Sequence, residues 1–145
     1  DSPLAQVSSL NTLLNLYDQE MPACVMGTLD KDNPAGLGRI VRDEQGEFLG
    51  IVEEKDATQE QLEVTEVNMS TYVFDCQRLL PTLELVSNDN RQSEYYITDC
   101  PGLLKKGGFD VRALPVLQPC EALSVNNLSD LAVVETELRR QGWGN

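Results

Sequence analysis

The sequence predicts an α/β domain, a mixed sheet flanked by helices with a β-hairpin insertion, and two observations carry that prediction. Segments with apolar residues at 3.6-residue spacing alternate with short runs of β-favouring residues. Between two of those runs stands Asp43-Glu44-Gln45-Gly46, whose terminal glycine supplies the positive φ that a tight hairpin turn needs.

The elements follow in chain order. From Ser8 to Tyr17, residues Leu10, Leu13, Leu14 and Tyr17 share one face of a helix, with Ser8 or Ser9 as its cap. Ala23 to Leu29 is an apolar run of strand length, and the turn formers from Asp30 to Gly36 make the next stretch a loop. Arg39 to Arg42 and Phe48 to Glu53 are the hairpin strands. A further strand begins near Val64 and runs through Asn68, in a stretch rich in Val, Thr and Tyr that reaches Phe74. Cys76 to Val86 reads as a helix in which Pro81 fits only the first turn. Ser93 to Lys106 reads as another, its acidic start and Lys105-Lys106 end matching the helix dipole and Gly107-Gly108 stopping it. Phe109 to Leu117 alternates as a strand does. Asn127 to Gly142 closes the chain as a helix with Leu128, Leu131, Val134 and Leu138 turned inward.

Composition narrows the function classes. At 145 residues the chain fits one domain with a genuine core, and with no interdomain linker and no internal repeat we expect residues 1–145 to be a single unit. A net charge of −13 opposes binding to nucleic acid and to anionic membranes, both of which need basic patches. No apolar run approaches the roughly 20 residues of a transmembrane helix. The absence of histidine removes Ser-His-Asp and Cys-His catalysis and histidine-based zinc sites. Cys24, Cys76, Cys100 and Cys120 have no paired spacing, and the start at Asp1 carries no secretory signal. They read as reduced core residues of a cytoplasmic protein.

Several short motifs carry chemistry. In Val52-Glu53-Glu54-Lys55-Asp56-Ala57, a strand would put Glu53 and Lys55 on one face and Glu54 on the other. A carboxylate accepts hydroxyl hydrogen bonds from a sugar and an ammonium suits a phosphate, although the same pattern also marks a solvated surface pair. Asn68 is out of place in a β-favouring stretch unless its amide binds something or it sits at a bulge or edge. Gly38 lets backbone approach a ligand, or simply turns the chain. Asp1 and Asn126 offer the hard oxygen atoms that Mg²⁺ accepts, while Asn126 or Asn127 is equally a helix cap.

In order, the chain reads Asp1-Ser2-Pro3-Leu4, Gly36-Leu37-Gly38-Arg39-Ile40, Ile51 to Ala57, Glu66-Val67-Asn68, Glu94-Tyr95-Tyr96-Ile97-Thr98-Asp99 and Val125-Asn126-Asn127. This succession resembles the GlmU family of N-acetylglucosamine-1-phosphate uridylyltransferases, from Asp1 to about Arg140. The resemblance implies the second, sugar-binding half of a Rossmann-like nucleotide-diphospho-sugar transferase domain, whose nucleotide-binding half this chain lacks. It implies that Gly38, Glu53 and Asn68 contact the N-acetylglucosamine moiety, that Tyr96 and Thr98 wall the acetamido group, and that Asp1 and Asn126 hold Mg²⁺. Lys55 and Asn126 complete the expected substrate-binding set. The chain departs from the family pattern at Met69-Ser70, where Thr-Gly is usual, and at Ser93 and Ser124, where glycine is usual.

The implied reaction joins UTP and N-acetylglucosamine 1-phosphate and releases pyrophosphate. The sugar phosphate attacks the α-phosphorus directly, so neither a covalent intermediate nor a histidine is needed. These residues include no Gly-rich, basic phosphate loop, and we expect the chain alone to be inactive. Two competing readings are a noncatalytic pyrophosphorylase-like module that binds a sugar phosphate or regulates, and a pyrophosphorylase for another sugar 1-phosphate.

Overall fold

A computed structural model describes residues 3–143. Five strands form one mixed sheet in the order β3-β2-β4-β1-β5, flanked by helices. The strands are β1 (Cys24–Asp30), β2 (Arg39–Arg42), β3 (Phe48–Val52), β4 (Glu66–Phe74) and β5 (Val111–Leu114). β1 runs parallel to β5 and antiparallel to β4, and β2 joins the hairpin to β4. Along β1, Cys24 to Leu29 are all buried, as a central strand covered on both faces requires. Cys24, Met26, Ile40, Phe48, Val111 and Ala113 make the main core with Leu104 of helix α4 (Asp99–Lys106). The hairpin turn forms as its sequence demands, with Gly46 at φ 82° and Asp43 Oδ1 accepting from the amides of Gln45 and Glu47.

β4 is irregular where it matters. Gly27 pairs with Thr71 while the next residue, Thr28, pairs with Asn68, so Met69 and Ser70 bulge out of the ladder. Ser70 takes φ 54°, and Ser93, another serine standing where the family commonly has glycine, takes φ 55°. Left-handed backbone at a residue with a Cβ costs about 1 kcal/mol.

The helices differ from the sequence reading in instructive ways. α1 spans Val7–Glu20, and its N-cap is Gln6, which makes no capping side-chain bond, rather than Ser8 or Ser9. Leu13 is buried, but Leu10 and Leu14 are exposed and Ser9 is buried instead. The cause is Glu121, a buried carboxylate that accepts from Ser9 Oγ at 2.6 Å and from the amides of Gln6 and Gln118. Satisfying that charge outweighs burying two leucines and rolls the helix toward Ser9.

A one-turn helix α2 (Gln59–Leu62), closed by a Thr58 capping box, precedes β4. α3 (Cys76–Leu83) holds Pro81 beyond its first turn, so the helix goes without the hydrogen bond that residue 81 would donate to the Gln77 carbonyl. Ser93 to Thr98 are not helical. Asn90 Oδ1 accepts from the amides of Gln92 and Glu94 while its Nδ2 donates to the Glu94 carbonyl, which folds the segment into a loop and delays α4 to Asp99. α5 (Leu128–Arg140) is capped by Asn127, whose Oδ1 accepts from Ser129 and Asp130 amides. Val134 faces the core as expected, but Leu128 is 84% exposed and Leu131 also points outward, because the Asn127 cap fixes where the helix starts and Val134 marks its inner side. All four cysteines are free thiols. Cys24 and Cys100 are buried, and burial pushes both thiols up; Cys76 is exposed at the start of α3 and so is no core residue.

Candidate functional site

Four of the residues singled out in the sequence meet at the end of the hairpin. Glu53 follows directly on β3, and its Oε1 accepts from Thr98 Oγ1, brought in just ahead of α4, at 2.8 Å. The carbonyl of Gly38, just before β2, accepts from the Asn68 amide at 2.9 Å. A Cβ on Gly38 would lie 3.1 Å from Ile51 and 3.3 Å from Glu53 Oε1, so the missing side chain leaves the room that the carboxylate occupies. Asn68, 5% exposed, has its amide oxygen fixed by the Tyr72 hydroxyl at 2.9 Å and the Ser70 amide at 3.1 Å. Burial pushes the Tyr72 phenol up, which keeps it a donor. Among the described residues, the Asn68 NH₂ group and Glu53 Oε2 make no hydrogen bond, so both retain capacity for a ligand.

Glu53 and Tyr96 line one cavity of about 270 Å³ with Ile51, Asp56, Asn90 and Asp99. Tyr96 is half-buried in the loop that Asn90 organises. Burial, and then the carboxylates of Asp56, Glu94, Glu53 and Asp99, push its phenol above the ordinary value. Burial likewise raises Asp99, opposed by Lys106 and reinforced by Asp56. A cavity ringed by carboxylates accepts hydroxyl and amide hydrogens and repels phosphate. A sugar phosphate would therefore put its ring inside and its phosphate outside.

Lys55 requires a correction. β3 ends at Val52, and residues 53–56 form a turn closed by the Asp56 amide on the Glu53 carbonyl at 2.9 Å. Glu53 and Lys55 therefore share no strand face, and Lys55 is exposed. Glu54 does not point idly away. Its Oε2 accepts from the Gly36 amide at 2.6 Å and from Arg39 Nη2 at 3.1 Å, and those bonds hold its carboxyl below the usual range.

Asn126 stands apart, exposed before α5, with its amide nitrogen on Ser124 Oγ at 3.1 Å and its backbone N–H on Asp130. No hydrogen bond links it to the Glu53 group among the described residues. Its side-chain oxygen fits a hard cation such as Mg²⁺ as one ligand of an incomplete shell. No three His, Cys, Asp or Glu side chains cluster to hold a metal among the described residues, and Asp1 lies outside them.

Sequence reasoning missed the supports. Arg39 is 2% exposed and grips Glu54 and the Leu37 carbonyl, fixing the Gly38 loop. Arg42 pairs bidentately with Glu66 at 2.7 Å, and Thr28 adds a 2.5 Å hydrogen bond to the same carboxylate. Arginines flanking a buried β-strand, with Glu54 and Glu66 nearby in sequence, were the available signal.

Over 141 residues, 97% of its length, the chain is 40% identical to a bifunctional protein GlmU of Streptococcus gordonii and 39% identical to one of Streptococcus sanguinis. Over this segment, the chain is similar to GlmU proteins. A GlmU of Clavibacter sepedonicus is 38% identical over 138 residues. The chain spans 31% of the Streptococcus GlmU proteins and 28% of the Clavibacter one. No family model matches. No helix among the described residues is long and apolar enough to cross a membrane.

Proposed function

We propose that the chain is the sugar-binding part of a uridylyltransferase that joins UTP and N-acetylglucosamine 1-phosphate with release of pyrophosphate. The observation that carries this reading is that Gly38, Glu53, Asn68 and Thr98, residues from four separate segments, are brought together where Glu53 lines a carboxylate-rich pocket. Glu53, oriented by Thr98, accepts from sugar hydroxyls, and the Asn68 NH₂ group, aimed by Tyr72, donates to a sugar or acetamido oxygen. Tyr96 and Thr98 wall the acetamido group. Holding the acceptor in one pose lowers the entropic part of the barrier. Asn126 and Asp1 would ligate Mg²⁺, which neutralises phosphate charge when bound. Lys55, exposed in the turn after β3, would serve as a phosphate counter-charge.

The nucleotide would be gripped by residues outside this chain. Calorimetry should therefore show N-acetylglucosamine 1-phosphate binding to these 145 residues, whereas a pyrophosphate-release assay with UTP and Mg²⁺ should show no turnover. Turnover by the chain alone would overturn the division of labour, and absence of sugar-phosphate binding would overturn the sugar site.

A further inference from the structure

Two enclosed polar atoms in the pocket have no partner. Asp56 Oδ2 and the Tyr96 hydroxyl are both shut off from solvent, both belong to residues lining the same cavity, and neither makes a hydrogen bond. An enclosed polar atom left unpaired costs about 1–3 kcal/mol, so the arrangement calls for a compensating role. The other Asp56 oxygen, Oδ1, accepts from the Arg91 amide at 3.0 Å and ties the turn after β3 to the loop that carries Tyr96. The two groups are chemically complementary, since a carboxylate only accepts and a phenol donates.

We propose that Asp56 is a positioning residue that fixes the Tyr96 ring and thereby sets the pocket's preference for the substituent on sugar carbon 2. It does so by holding the Asn90–Tyr96 loop through Oδ1 and by presenting Oδ2 to the Tyr96 hydroxyl, directly or across a single enclosed water. This rests on the sugar-site reading above, in which Tyr96 walls the acetamido group. A ring held at one depth leaves a slot of one width, and small changes in a pocket wall alter discrimination more than overall affinity. The effect of Asp56 passes through Tyr96, and the two residues should act as one unit.

The test is a double-mutant cycle on this chain with Asp56→Ala, Tyr96→Phe and the pair, with Asp56→Asn as the conservative control that keeps an oxygen for the Arg91 amide. Calorimetric affinities for N-acetylglucosamine 1-phosphate and glucose 1-phosphate are the readout, with thermal unfolding alongside. Each single variant should lower the preference for the N-acetylated sugar by about five- to tenfold while leaving glucose 1-phosphate affinity within about twofold. The double variant should lose no more than the worse single, and Asp56→Asn should recover part of the preference. Equal losses for both sugars, or additive losses in the double variant, would mean a structural role only and overturn the proposal. A wild-type chain that binds both sugars equally would overturn this proposal alone. One that binds neither removes the sugar site and this proposal together.

Discussion

The Glu53 pocket and the Asn126 end of the chain were both singled out in the sequence, yet they are built in opposite ways. Around Glu53, the side chains are held by neighbours from other segments or turns: Thr98 holds the carboxylate, the Tyr72 hydroxyl and the Ser70 amide hold Asn68, and Arg39 with Glu54 holds the loop before Gly38. At the other end, Asn126 is exposed and leans only on its near neighbours Ser124 and Asp130. A site that must recognise a neutral, many-hydroxyl ligand needs donors and acceptors fixed beforehand, because each loose group forfeits binding energy to ordering. A metal ligand needs less, since the cation and its phosphates organise the rest of the shell.

Substitutions can break this comparison, and the largest effect should come from Glu53. Glu53→Ala removes a charged acceptor and strands Thr98, and N-acetylglucosamine 1-phosphate affinity measured by calorimetry should fall by about 100-fold, equivalent to 2–3 kcal/mol. Gly38→Ala puts a methyl group against Glu53 Oε1 and should weaken the same binding by about tenfold with little change in folding. Asn127→Ala, at the other end, removes the cap of α5 and should cost about 1 kcal/mol of stability by chemical denaturation while sugar binding stays unchanged.

The smallest expected effect is a pH dependence. Burial alone would raise the Glu66 carboxyl, but the hydrogen bonds from Arg42 and Thr28 outweigh it and hold the group below its ordinary 4.5. A depressed carboxyl stabilises the fold above its unfolded value and loses that contribution as pH falls through the folded one. The stability gap between wild type and Glu66→Gln should therefore be full at pH 6 and shrink below pH 4.5.

Much of this was readable from the chain because hairpin and strands depend on local chemistry. Asp43 and Gly46 make their turn from their own side chain and backbone, and Cys24 to Leu29 is apolar enough to be a central strand in any context. What was not readable depends on distant partners. Ser9 is buried because Glu121, on the far side of the sequence, needs a donor, and nothing near Ser9 announces that. The loop before α4 is a loop because Asn90 captures the Gln92 and Glu94 amides that a helix would have used. Asn68 was legible as an anomaly, and the bulge beside it explains the anomaly: its side chain supplies the hydrogen bonds that the interrupted ladder cannot. Lys55 was misread because the strand ends at Val52, one residue before the motif begins to alternate.

The central claim, that the pocket closed by Glu53 and Thr98 reads the sugar, is tested most directly by mapping amide shifts as N-acetylglucosamine 1-phosphate is titrated into the ¹⁵N-labelled chain. The account predicts saturable shifts concentrated at Gly38, Glu53, Asn68, Tyr96 and Thr98. Shifts centred instead on the cavity between Gln118, Cys120 and Arg140, or no saturable shifts at all, would contradict it.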